Sequence, residues 1–196
     1  MKYCTCKIVE WLINHDAIKS EDKELYEYAL YSLWLLATPL FLAIIIGGCL
    51  GGVKEGIIIV IPFMLIRKFS GGYHAKHLCV CLVSSTILLS LCILMSFYLE
   101  YDWKLAGITI IAGIGMGYFS PIDHENKRLS DKEKKLYKKV TIILVGMSLG
   151  IALLLQLLGK EIWAVCISIG IMMTAGLQYP VVLKKYWKMF EMTKNG

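Results

Sequence analysis

Charged residues are absent from five stretches of the chain: Ala29–Val53, Leu78–Leu99, Leu105–Ile122, Val140–Gly159 and Ile162–Leu183. Each is 18 to 25 residues long and apolar almost throughout. A helix of about 20 apolar residues crosses the hydrocarbon core of a bilayer, so each stretch predicts a spanning helix. A sixth apolar run, Gly56–Ile66, has only 11 residues and contains Pro62. It fits a short span, a re-entrant segment, or part of a helix extended through Gly47–Gly52. The predicted fold is therefore all-α: a polytopic membrane helical bundle of about six segments, the second one short. Residues 1–28 form an N-terminal cytosolic region, 29–183 the bundle and 184–196 a basic tail, together one integral membrane domain. Within the N-terminal region, Ile8, Trp11, Leu12 and Ile13 suggest one face of an amphipathic surface helix. Ser20 followed by Glu21 and Asp22 marks a second helix start, because acidic side chains suit the first turn.

Composition supports the membrane reading. Hydrophobic residues make up 57% of the 196 positions and charged residues only 18%, with a mean hydropathy of +0.62. Soluble domains are rarely so apolar. With the N-terminus inside and six crossings, eighteen cations fall in cytosolic segments, and only Lys54, Lys104 and Lys160 fall outside. Such an asymmetry follows the positive-inside rule. The net charge of +6 then lies on the inner face, where it favours anionic lipid. Nucleic-acid binding is not expected, since the basic residues are split between loops. The seven Cys lie in or beside apolar runs or in the N-terminal tail, so no extracellular disulfide framework is expected. Lys7, Glu10 and His15 interrupt any signal-peptide core near the N-terminus.

The candidate chemistry lies in Arg67-Lys68-Phe69-Ser70-Gly71-Gly72-Tyr73-His74-Ala75-Lys76-His77-Leu78-Cys79-Val80-Cys81, between two apolar runs. A thiol with an imidazole in reach is the minimal equipment of a cysteine nucleophile. On one continuous helix His74 and Cys81 would share a face but stand about 10 Å apart along the axis. Gly71-Gly72 disfavours that helix. A helix starting near His77, with a loop returning His74 to its first turn, brings the pair together and favours thiolate at the helix N-terminus. His77 is a rival base, four residues before Cys81. Cys79 is a rival thiol, about 140° around the helix from His74. Three readings stay open on spacing alone: thiol catalysis, a zinc site of His74, His77 and Cys81 lacking a strong fourth ligand, and plain packing.

Arg67-x-x-Ser70-Gly71-Gly72-x-His74-Ala75 followed by Cys81 resembles the signature of the accessory gene regulator protein B (AgrB) family. So does Pro121-x-Asp123-x-x-Asn126-Lys127, although Arg128 stands where that family usually has proline. The resemblance implies a cysteine endopeptidase of bacterial quorum sensing at the cytosolic face of the cell membrane. It would cut the C-terminal part from an AgrD-like propeptide and promote thiolactone or lactone closure. It implies His74 and Cys81 as catalytic residues and Arg67 and Gly72 as functionally important. Ser70, Gly71 and Lys127 join them as supporting or substrate-binding candidates. It also implies a homodimer and no cofactor or metal.

The competing class is a small permease or peptide-exporter component. Its path would be lined by residues such as Thr38, Ser84, Ser85, Thr86, Ser90, Ser96, Thr109, Ser148, Gln156, Ser168, Thr174 and Gln178. No charge lies within the five long runs, which argues against ion-coupled transport. The cation asymmetry generates a topology test. On a cysteine-depleted background, single cysteines at positions 102 and 160 are expected to label with an impermeant maleimide from outside, and those at 76 and 132 are not. Outside labelling at 76 would refute the arrangement.

Overall fold

The computed structural model describes residues 2–15, 18, 20–71, 78–122 and 130–194. Every regular element among them is helical, as the charge-free pattern predicts. The helices are α1 (Lys2–Asn14), α2 (Lys23–Leu50), α3 (Val53–Ser70), α4 (Leu78–Tyr98), α5 (Trp103–Phe119), α6 (Asp131–Leu157) and α7 (Glu161–Lys194). They fall into two compact units, Met1–Phe41 and Leu42–Gly196, with the boundary inside α2.

In the first unit α1 is the expected N-terminal helix. Among its described side chains Val9 is buried, while Ile8 and Trp11 are exposed. His15 stacks on Trp11 with ring centroids 4.4 Å apart, and its Nδ1 lies 2.9 Å from the Trp11 carbonyl oxygen. A 3₁₀ turn at Ser20–Asp22 leads into α2, matching the acidic helix start. Lys23 and Glu10 pair at 3.4 Å on the surface, where such a pair contributes little.

In the second unit the short apolar run proves to be the middle of an 18-residue helix, α3. Lys54, Glu55, Arg67 and Lys68 occupy its ends, which is why the charge-free core looked short. It is not continuous with α2: Gly51, at φ 76°, turns the chain between them. The Gly52 N–H then donates to the Gly47 carbonyl at 2.8 Å. Asp102 caps α5 by accepting from the Leu105 N–H at 2.8 Å. Ser130 and Glu133 form a reciprocal capping box that starts α6 nine residues before its apolar run.

α7 is the central helix, packing against α3, α4, α5 and α6. Its residues Ala164–Ile171 are continuously buried. The α3–α7 contact is the most extensive. A Cβ on Gly170 would lie 2.5 Å from the Ile59 carbonyl oxygen and 2.8 Å from Pro62 Cγ, so two backbones meet there with nothing between. One core cluster joins Ile59, Val60 and Phe63 to Val165, Cys166, Ile169 and Met173. A second joins Ile66 to Ile167, Ile171, Ala175, Met116 and Val145. Two segments, Asp131–Leu157 and Glu161–Lys184, are long and apolar enough by themselves to cross a membrane. Ala37–Leu50, Leu82–Tyr98 and Trp103–Phe119 are shorter apolar stretches.

The Gly170 contact generates a stability prediction. Gly170→Ala is expected to push α3 from α7 and cost about 1–3 kcal/mol. Gly176→Ala, where an added Cβ meets nothing within 4 Å, is expected to be neutral or slightly stabilising. Thermal unfolding in detergent checks both, and equal midpoints would refute the close-contact argument.

Candidate active site

The first motif begins on the last turn of α3. The Arg67 guanidinium sits 5.3 Å from the Phe63 ring centroid, a cation–π contact. Its carbonyl accepts the Gly71 N–H at 3.2 Å. Arg67 and Lys68 also place positive charge at the negative end of the helix dipole. Ser70 is fully buried, and its hydroxyl donates to the Gly71 carbonyl at 3.1 Å.

Gly71 ends α3 with φ 75° and ψ −172°, a region that only glycine enters without strain. A Cβ there would also lie 2.9 Å from the Ile122 carbonyl oxygen. Conformation and space therefore both demand glycine. The chain leaves the α3 axis at this point, so no single helix runs from α3 through the motif.

The second motif meets the first at this kink. The Ile122 N–H donates to the Ser70 carbonyl at 3.1 Å, and Ile122 is buried. Two residues earlier, the Ser120 hydroxyl donates to Thr141 Oγ1 at 3.1 Å. Thr141, fully buried on α6, donates in turn to the Tyr137 carbonyl at 2.9 Å. The Tyr137 ring meets Phe69 edge-on with centroids 5.6 Å apart. Phe119 contacts Tyr179 of α7 in the same manner at 6.5 Å. The result is a joint in which α3, α5, α6 and α7 hold the described starts of both motifs.

Cys81 lies on the described part of α4, three residues after Leu78. The expected helix start near His77 lies outside the described residues. Gly72, His74, His77 and Lys127 lie outside the described residues, as do the side chains of Cys79 and Cys81. Of the sequence candidates, the structure thus brings Arg67, Ser70 and Gly71 to one joint. Among the described residues no group of three or more His, Cys, Asp or Glu is placed to hold a metal. Elsewhere, partial burial and then the Glu27 carboxylate push the Cys6 thiol up, opposite to what a nucleophile needs.

Sequence reading missed Thr141, Tyr137, Phe119 and Tyr179. Their only signal was a polar or aromatic residue near a helix end. Residues considered for a transport path mostly serve their own helices. Thr38, Thr86, Ser90, Ser96, Thr109, Ser148 and Thr174 each donate to a carbonyl three or four residues earlier.

The family profile described as accessory gene regulator B matches residues 5–180. A Clostridium perfringens (strain SM101) protein named for its likeness to AgrB is 26% identical over 185 residues, covering 89% of this chain and 85% of its own. A second, from C. perfringens strain 13, named AgrB-like protein 2, is 28% identical over 152 residues, covering 72% and 69%. No solved structure matches the chain.

The joint predicts that Gly71→Ala is poorly tolerated. Strain at that φ, together with the approach to Ile122, is expected to cost about 1–3 kcal/mol. A lowered unfolding midpoint in detergent is the expected result. A midpoint equal to the parent's would show that Gly71 is not held as described.

Proposed function

The chain belongs to the accessory gene regulator B family, and on that premise we propose that it is a membrane-embedded cysteine endopeptidase. Its substrate is an AgrD-like propeptide, which it cuts before promoting closure of the signal peptide into a thiolactone or lactone. The observation that carries this reading is the Ile122 N–H···O=C Ser70 hydrogen bond. It joins the described starts of two motif segments far apart in sequence, the first of which runs on along the chain to Cys81. Tethering of that kind is what a positioned nucleophile and base require.

Six crossings, α2 to α7, put this joint at the cytosolic face of a bacterial cell membrane, with α3 as the short span. The enzyme works there as a homodimer, a point that rests on the resemblance alone.

The reaction balances without a cofactor. Cys81, as thiolate, adds to the scissile carbonyl of the propeptide. His74 holds the thiol proton and returns it to the leaving amine, so the C–N bond breaks and an acyl-enzyme thioester remains. A thiol within the bound fragment then displaces Cys81, exchanging one thioester for another of similar energy. A hydroxyl in its place gives a lactone. Water is the wasteful competitor, so a site partly dried by the bilayer edge favours cyclisation over hydrolysis. An amphipathic propeptide helix would concentrate the substrate on the same surface. Arg67, Lys68 and the cations of α6 would attract an acidic propeptide tail. The permease alternative loses support because so many intramembrane hydroxyls are committed to their own helices.

Covalent capture of a propeptide fragment in liposomes tests the assignment. Cys81→Ala is expected to abolish cleavage, and His74→Ala to slow acyl-enzyme formation at least about a hundredfold. Cys79→Ala and His77→Ala are expected to retain measurable activity. Capture that survives in His74→Ala but disappears in His77→Ala would move the base to His77. Cleavage that resists alkylation but stops with a chelator would favour the zinc reading.

A further inference from the structure

Gln178 is fully buried on α7, and neither its Oε1 nor its Nε2 has a hydrogen-bond partner. A buried carboxamide left unpaired at both ends is strongly unfavourable, so native proteins rarely keep one without a use for it. In a membrane bundle such a group marks function more often than packing. Gln156 Oε1 and Ser168 Oγ are also buried without a partner, but among the described residues only Gln178 has two side-chain atoms unpaired, one a donor and one an acceptor. The hydroxyls of Ser70, Ser120, Thr141 and Thr174 all have acceptors.

Its place in the fold follows from helix geometry. α3 and α7 run in the same direction, because Gly170 lies against Ile59 and the later residue Ile66 clusters with Ile171 and Ala175. Eight residues beyond both members of the Gly170–Ile59 contact come Gln178 and Arg67. Gln178 therefore lies level with Arg67, roughly one turn short of Gly71. The next residue, Tyr179, contacts Phe119 and lies against Gly115, at the same end of α5. Spaced seven residues from Ile171 and four from Thr174, both buried, Gln178 shares their inward face. The turn that carries it is deformable. Pro180 lies inside α7 and has no N–H, so the Gly176 carbonyl loses its helical donor.

We infer that the Gln178 carboxamide binds the backbone of one extended propeptide residue near the scissile bond, its Nε2–H donating to that residue's carbonyl and its Oε1 accepting from that residue's N–H. This inference rests on the proposed endopeptidase function. A primary amide matches one extended residue, whose N–H and C=O point to the same side, in both acceptor and donor, whereas a side-chain cation would satisfy the oxygen only. An extended substrate backbone that reaches Gln178 at the turn loosened by Pro180 would supply both missing partners at once.

The test uses the full-length protein in liposomes and a synthetic propeptide with an amphipathic N-terminal helix, a central Cys and an acidic C-terminal tail. Gln178→Met keeps the volume and removes both polar ends. It is expected to raise KM about tenfold, the loss of two ordinary hydrogen bonds. The rate of Cys81 alkylation by iodoacetamide and the unfolding midpoint are expected to stay equal to the parent's or to rise. A depsipeptide series, replacing single amides near the scissile bond by esters, supplies a readout that packing alone would not move. One ester is expected to raise KM in the parent and to have no further effect in Gln178→Met. An unchanged KM, or ester penalties equal in both proteins, would overturn the inference and leave the endopeptidase reading intact. A fall in midpoint with KM unchanged would overturn it in favour of a packing role. A parent protein that neither cleaves nor captures the propeptide would overturn both.

Discussion

The bundle depends on the close approach of α3 and α7. In lipid, helices gain no hydrophobic free energy by leaving the tails for one another, so association rests on packing and on polar contacts. Gly170 lets the α3 backbone at Ile59 touch α7 directly. Gly56 does the same toward the Ala43 carbonyl and Ile93. Once α3 lies against α7, Ile66 reaches the cluster of Met116 and Val145. The last turn of α3 is then level with the ends of α5 and the start of α6, where both motifs begin.

The hydroxyl groups show how an apolar interior accommodates polarity. Most bond back to their own helix, as Thr109 does to Leu105 at 2.7 Å and Ser148 to Leu144 at 2.8 Å. Such bonds satisfy the hydroxyl locally and leave the helix surface effectively apolar. Ser120 departs from this pattern by reaching across to Thr141, and so commits a hydroxyl to tertiary structure.

Helix existence was legible because charge-free runs are long and their period is local. The length of α3 was not, since its ends carry Lys54, Glu55, Arg67 and Lys68, and hydropathy alone does not reveal where a charged helix stops. Gly71 was legible as a motif letter, but the reason for it, the Ile122 backbone at its Cα, is a contact between residues 51 positions apart. The Ser120–Thr141 bond was hidden for the same reason: neither residue has a sequence neighbour that announces it. Gln178 was noted only as one polar residue among many. Its distinction, burial without a partner, exists only in three dimensions.

The Ser70–Ile122 and Ser120–Thr141 hydrogen bonds stitch separate segments at one end of the bundle. At the opposite end, Gly52 meets Phe97 and Ile93 of α4 by shape, while its N–H bonds to the Gly47 carbonyl. Directional bonds resist sliding and rotation, whereas apolar surfaces of similar shape slip past one another at little cost. The starts of the two motifs are therefore held in register with each other by directional bonds.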